Sequence, residues 1–437
     1  MVKGMKLSGI LEGAESVAVV GASPKTWKIG GIVLRSLVSH GFRGRVYPVN
    51  PGYSEVQGYR CYPSLGSLPE VPDIVAIAVP ESQALSALEE SARLGARLAV
   101  VFTSGGPGFT KRMSEISKRA RIRVIGPNSA GIIVAKRRLY LTIEHSASPG
   151  HVAVVSQSGA LGGVAMHWLN SLSSGVSFFI SLGNMSDVGV CEALTYAAED
   201  EATKAVSAYI EWLKNGARYM TALRRLAEAR KPVCVVKGGR GPRSNEAARS
   251  HTGGVASNYE VFVAATRQSK AYVVDDVATS VLLCEAKRRV PWLGKRAIVV
   301  TNSGGLGVLI ASRLEDLGYR LPSIGASEID LVKTIKPRGV SGTNPIDLQG
   351  DATISQLVDT AIALSGTGIS DFIILGYVPT SAETPSTVCR ELERLKNARK
   401  PVILVAEGYG ALDIARCSPV LGVPGVTLLA GILGYYS

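Results

Sequence analysis

Histidine is scarce here, five in 437 residues, and no second histidine or cysteine stands at ligand spacing from His251, so a zinc centre is not expected there. The six cysteines (Cys61, Cys191, Cys234, Cys284, Cys389, Cys417) contain no CxxC pair. Reduced, mostly buried thiols are expected rather than a disulfide framework. No apolar run exceeds strand length, which excludes a membrane-spanning helix from the reading. The start, MVKGMKLSGILEGAESVAVV, lacks a long apolar core before a small-residue cleavage site, so no export signal is read and a cytoplasmic location is expected. Acidic residues are outnumbered, 35 against 48 basic, leaving a formal charge of +13. The basic residues are dispersed, as in LRRLAEARK and KRMSEISKRARIR, without an RNP, zinc-finger or basic-zipper pattern. That favours solvated faces or a channel for phosphorylated ligands over nucleic acid.

What is present is alternation. SVAVVGAS, GRVYPVNP, DIVAIAVP, LAVVFTSG and RVIGPNSAG are five strand-like runs separated by helix-length segments, the pattern of a doubly wound parallel sheet. The stretch KRRLYLTIEHSASPGH reads as a loop, and KRRVPWLGKR as a linker. They predict an α/β protein of three doubly wound parallel-sheet domains, 1–147, 148–292 and 293–437. The last two read as copies. HVAVVSQSGALGGVAMHWLNSL parallels RAIVVTNSGGLGVLIASRLEDL, and RRLAEARKPVCVVKGG parallels ERLKNARKPVILVAEG, in the same order.

The copies share a strand-to-helix turn that suits an anion: Ser156, Gln157, Ser158, Gly159 and Ala160 in one, Thr301, Asn302, Ser303, Gly304 and Gly305 in the other. The first amides of a helix lack internal partners, and its dipole adds partial positive charge. Glycine is also what any tight βα turn needs. The first domain carries GASPKTWKIGG rather than GxGxxG, and YPVNP leaves no acid for a ribose diol, so NAD is disfavoured. The ends of its strands, at Asn50–Pro51, residues 78–80 and GPNSAG, form a rim for another nucleotide-like ligand.

His40 ends a helix, His145 and His151 flank a linker, and His167 lies in a helical pattern; none reads as functional. His251, in SHTGGVA, is different: the loop is polar and glycine-rich, and the second copy has no histidine. A hydrolase would want a GxSxG elbow, which SQSGA is not. A phosphate-accepting imidazole remains, with a carboxylate fixing its tautomer. Glu211, at the end of the strand-like AVSAYI, is the candidate carboxylate, and the second copy has no acid there.

These motifs together resemble the α subunit of ADP-forming acetyl-CoA synthetase (NDP-forming acyl-CoA synthetase), of the succinyl-CoA synthetase superfamily. The resemblance spans nearly the whole chain through VAVVGAS, VYPVNP, GPN, SQSGALG, SLGN, YIE, SHTG, NSGG and NPIDLQGDA. It implies a Rossmann-like CoA-binding domain followed by two flavodoxin-like ligase CoA domains. It implies a cytoplasmic acid–thiol ligase that interconverts acyl-CoA, ADP and phosphate with carboxylic acid, ATP and CoA through acyl phosphate. His251 would be phosphorylated and Glu211 would support its ring. The starts of the SQSGALG and NSGGLG helices would hold the phosphoryl group. CoA would lie along Gly21, Ala22, Ser23, Lys28, Asn50, Pro51, Val79, Pro80 and Asn128. Ser129 replaces the cysteine usual after GPN, and TSGGPGFT departs from the usual loop. The ATP-grasp domain is missing from this chain, so a β subunit carrying Mg²⁺ and ADP or ATP is implied, in an α2β2 heterotetramer. The rival is a non-catalytic CoA-binding regulatory or scaffold protein that kept the fold.

Overall fold

Strands rich in β-branched residues and buried on both faces are what a parallel sheet between two helical layers requires. Ile74–Ile77 and Ala297–Thr301 meet that description, with every residue buried. The structure, a computed structural model, describes residues 6–244, 246 and 258–436. The chain forms two compact units. One runs up to Asn170 and from Ser174 to Cys284; the other comprises Ser171–Ser173 and the chain from Glu285 onward.

The first unit holds two sheets. In the first lie β1 (Ser16–Val20) and β2 (Arg45–Val49); a hairpin of β3 (Glu55–Val56) and β4 (Tyr59–Arg60) follows; then come β5 (Ile74–Ile77), β6 (Leu98–Val101) and β7 (Arg123–Ile125). All five expected strands form, in the parallel order β2-β1-β5-β6-β7. The second sheet contains β8 (Gly131–Val134), β9 (Leu139–Thr142), β10 (Pro149–Ser156), β11 (Val176–Ser181), β12 (Ala205–Ile210), β13 (Val233–Lys237) and β14 (Tyr272–Val274). Their order is β14-β13-β12-β10-β11-β8-β9, antiparallel only at β11-β8 and β8-β9. Here the structure corrects the sequence reading: KRRLYLTIEHSASPGH is not a plain loop but carries β9, and β9 joins the second sheet through β8. The apolar LYLT run is what drives it, being buried throughout.

The second unit is one sheet of β15 (Ala297–Thr301), β16 (Ile346–Asp347), β17 (Phe372–Tyr377), β18 (Val402–Ala406) and β19 (Leu421–Pro424), in the parallel order β16-β15-β17-β18-β19. Renumbered from one, β10–β14 and β15–β19 share the order 2-1-3-4-5, the flavodoxin-like winding. The internal repeat is thus a repeat of topology as well as of motif.

Buried side chains from both sheets of the first unit, among them Leu34, Leu98, Ile132, Phe178, Tyr196 and Leu226, form one continuous core. Each large apolar side chain so buried contributes about 1.5–3 kcal/mol relative to exposure. One cysteine expectation fails. Four thiols are free and buried as anticipated, but Cys389 and Cys417 form a disulfide. Cys389 sits on the Pro385–Leu392 helix and Cys417 ends the Ala411–Cys417 helix, and packing brings their Cα atoms to 5.6 Å, within bonding range. Their 28-residue separation carried no sign of it.

Candidate functional site

In a 2-1-3-4-5 sheet the crevice for a ligand opens at the carboxyl ends of strands 1 and 3, where the winding reverses. In the first sheet those ends are β1 and β5, followed by Gly21 and by Ala78–Pro80. Gly21 has φ +87°, and a Cβ there would stand 2.5 Å from the Ala78 carbonyl oxygen, so only glycine fits. Asn50, after β2, donates from Nδ2 to the Ala22 carbonyl at 2.8 Å and accepts at Oδ1 from the Gly52 amide at 2.9 Å. Thr103 donates to the Val79 carbonyl at 2.6 Å. These bonds set the rim.

A cavity of about 980 Å³ opens on this rim and extends to the start of the Gly159–Ser171 helix. Of the nine residues assigned to CoA from sequence, Gly21, Ser23, Lys28, Asn50, Val79, Pro80 and Asn128 line it. Ala22 is fully buried behind the turn, and Pro51 faces an adjoining recess of about 450 Å³. Gln157, Ser158, Gly159 and Ala160 line its other end, whereas Ser156 is buried beneath them. Trp27 and Tyr53 add exposed aromatic faces, which the sequence reading missed; an exposed tryptophan in a lysine-bearing glycine turn was the available signal.

Ser129 is buried. Its hydroxyl donates to the Ser181 carbonyl at 2.6 Å and accepts from the Gly131 amide at 2.9 Å. The serine therefore ties the GPN turn to the end of β11.

Side chains in the anion turns are committed to the fold. Gln157 Oε1 accepts from the Glu211 and Trp212 amides, at 2.5 and 3.1 Å. Ser156 Oγ accepts from the Ser158 amide at 3.2 Å. The second unit repeats the pattern. Asn302 bonds the Val378 carbonyl and amide at 2.8 and 2.9 Å, and Thr301 Oγ1 accepts from the Ser303 amide at 3.0 Å. Ser158 and Ser303 each accept from the amide three residues on, at 3.4 Å, as N-caps do. What each turn offers an anion is backbone N–H together with the hydroxyl of Ser158 or Ser303, which accepts from the helix and keeps its own proton to donate. Asn302, Ser303 and Gly304 line a recess of about 400 Å³, and Gly305 is exposed nearby. That recess also contains Asp347, whose Oδ2 lies 2.9 Å from where a Gly304 Cβ would stand.

Glu211 follows β12 and is 7% exposed. Burial, then Glu211 itself, holds the hydroxyl of Tyr209 well above the ordinary tyrosine range, and that hydroxyl bonds the Glu211 side chain. Lys237, which ends β13, donates to the Glu211 carbonyl at 2.7 Å. His251 lies outside the described residues, so its relation to Glu211 is not part of this geometry. Among the other histidines, His40 ends the Ile29–Ser39 helix, bonds the Ser36 carbonyl at 2.8 Å and stacks on Tyr140. His145, His151 and His167 are exposed. No described helix is long and apolar enough to cross a membrane.

Residues 15–135 match the CoA binding domain family, and residues 149–286 match the succinyl-CoA ligase like flavodoxin domain. The chain is 31% identical over 421 residues to the acetate–CoA ligase [ADP-forming] II subunit alpha of Pyrococcus furiosus, covering 93% of this chain and 92% of that one. It is 33% identical over 376 residues to acetate–CoA ligase [ADP-forming] I of Archaeoglobus fulgidus, covering 84% of this chain but 54% of that protein. The chain thus spans about half the length of that relative. The structure of the dinucleotide forming acetyl-coenzyme A synthetase 1 of Ca. Korarchaeum cryptofilum, in complex with phosphate and ADP, superposes with a TM-score of 0.84. That match has 30% identity and covers 97% of this chain and 94% of that one. Cavity, paired glycine turns and these likenesses agree: the chain belongs to the ADP-forming acetyl-CoA synthetase family, among its α subunits.

Proposed function

We propose that this chain is the α subunit of an ADP-forming acyl-CoA synthetase, working with an ATP-grasp β subunit, and that its three domains divide at 147/148 and 292/293. The observation that carries the reading is the single cavity running from the Gly21 and Asn50 rim to the amides that open the Gly159–Ser171 helix. Its lining, rim at one end and helix start at the other, suits a CoA thioester whose nucleotide end meets Lys28 and the rim while its thioester meets bound phosphate. Phosphate oxygen attacks the thioester carbon, the C–S bond breaks, and protonated CoA leaves an acyl phosphate. A His251 ring nitrogen then attacks phosphorus, the P–O bond breaks, and the carboxylate departs. ADP in the β subunit takes the phosphoryl group from the imidazole to give ATP, and the neutral ring is restored. The helix-start amides stabilise charge on the transferring group without reorganising, and the Glu211 carboxylate holds the second ring N–H.

Among the described residues no three His, Cys, Asp or Glu side chains form a metal-holding group. In this reading Mg²⁺ belongs with the nucleotide in the β subunit, and no step of this chain passes through it.

The test is labelling. With ³²P-phosphate and acetyl-CoA the wild-type chain acquires acid-labile, alkali-stable label, and His251→Asn acquires none while still binding CoA. Labelling of His251→Asn at the wild-type level would reject the phosphohistidine. Absence of label from the wild type with every acyl-CoA tried would favour the non-catalytic CoA-binding alternative.

A further inference from the structure

Glu144 stands just past β9, where its amide donates to Thr142 Oγ1 at 3.0 Å. Its side chain lies along the Gly159–Ser171 helix. A Cβ at Gly159 would come 3.6 Å from Oε1, and one at Gly163 would come 2.3 Å from Oε2. Those glycines are one turn apart on the same helix face; the contact at Gly159 would be an ordinary one, whereas the space the carboxyl fills at Gly163 exists because that position lacks a side chain. The carboxyl lines the large cavity beside Ala130, Ile143 and Ser158, at the end opposite the Lys28 and Asn50 rim. Among the described residues no side chain donates a hydrogen bond to it and no cation pairs with it. Partial burial raises it above the usual carboxyl range, and neighbouring His145 only offsets this in part.

A half-buried carboxylate without a protein donor is met by water while the cavity is empty, and a ligand that displaces that water must supply a donor in its place. Building on the function proposed above, the acyl group lies at this end, because phosphate at the helix start must reach the thioester carbon. We infer that Glu144 reads the acyl group: the chain favours acids bearing a hydroxyl or similar uncharged donor near the carbonyl, and disfavours dicarboxylates. A hydroxyl donates to the carboxylate, a plain alkyl chain leaves it unpaired, and a second carboxylate repels it. A polar site discriminates against the analogue that lacks its partner more sharply than an apolar pocket discriminates by size.

The experiment titrates CoA, propionyl-CoA, 3-hydroxypropionyl-CoA and succinyl-CoA into the full chain and into Glu144→Leu and Glu144→Gln. The wild type should bind the hydroxyacyl thioester about tenfold to a hundredfold more tightly than propionyl-CoA, the scale of one net hydrogen bond to a charged group. Glu144→Leu should close that gap. Glu144→Gln, equal in shape, should keep part of it and gain affinity for succinyl-CoA. Equal binding of the two three-carbon thioesters by the wild type, or a gap that survives in Glu144→Leu, would overturn the inference while leaving CoA binding intact. Failure of CoA itself to bind the wild type would remove the reading on which it rests, and the two failures are told apart by that one titration.

Discussion

Lys237 shows what a single residue can reveal once the sheet is assembled. Parallel pairing of β12 with β13 sets Ile210 opposite Lys237, so the ends of the two strands emerge side by side. The lysine is 3% exposed; its ammonium donates to the Glu211 and Gly238 carbonyls and lies 5.5 Å from the centre of the Phe262 ring. Burial pushes it down to about 8, with Glu211 pulling in the opposite direction. The sign of the consequence is fixed. A lysine whose folded value lies below its unfolded value costs stability while both states are protonated, and that cost is relieved as pH rises through the folded value. Wild-type unfolding free energy should therefore gain on that of Lys237→Met between about pH 8 and the ordinary lysine value near 10.5. Urea titrations across that window measure it, and a constant difference would contradict it. The cation in VCVVKGG was visible in the sequence; its proximity to Glu211 was not, because 26 residues separate them and only strand pairing closes the gap.

At the scale of elements, the βα turns that border the two recesses are held by side-chain ties that the sequence did not show. Gln157 and Asn302 were expected to face phosphate. Both line the recesses, and their amide groups also join the ends of neighbouring strands, β12 for one and β17 for the other. The reason is stereochemical: at the reversal of winding two adjacent strand ends have unpaired peptide groups, and a planar side-chain amide bridges them. The first turn uses close approach instead. A Cβ on Gly30 would lie 2.0 Å from the Gly21 carbonyl oxygen, so the Ile29–Ser39 helix can pack on that turn only without a side chain. Gly30→Ala should cost at least about 1–3 kcal/mol of stability and weaken CoA binding more than tenfold. Calorimetry and CoA titration test the pair; wild-type values for both would show that the turn can shift freely.

At the scale of the molecule, three sheets repeat the order 2-1-3-4-5, and every residue lining the large cavity lies in the first unit. Binding to a folded state alone stabilises it by about 2.7 kcal/mol when ligand is at a hundred times its dissociation constant. Saturating CoA should therefore slow amide hydrogen exchange in the turns that border the cavity, at residues 21–30, 50–53, 78–83 and 128–130. Hydrogen-exchange mass spectrometry reads this directly. Protection confined to residues 302–305 instead would move the CoA site to the other unit.

The sequence by itself determined the alternation of strands and helices, the glycine turns and the internal repeat, since these follow from hydrophobic period and local steric demands. It also carried the family, whose motifs are contiguous. Tertiary structure alone decided that β8 and β9 extend the second sheet, that Cys389 meets Cys417, and that Glu144 fills space left free at Gly163. It also decided which rim residues share a cavity and which, like Ala22 and Ser156, are packed beneath it. Each of these rests on contacts between segments distant in the chain, and no local pattern of residues specifies which distant partner a strand or side chain will find.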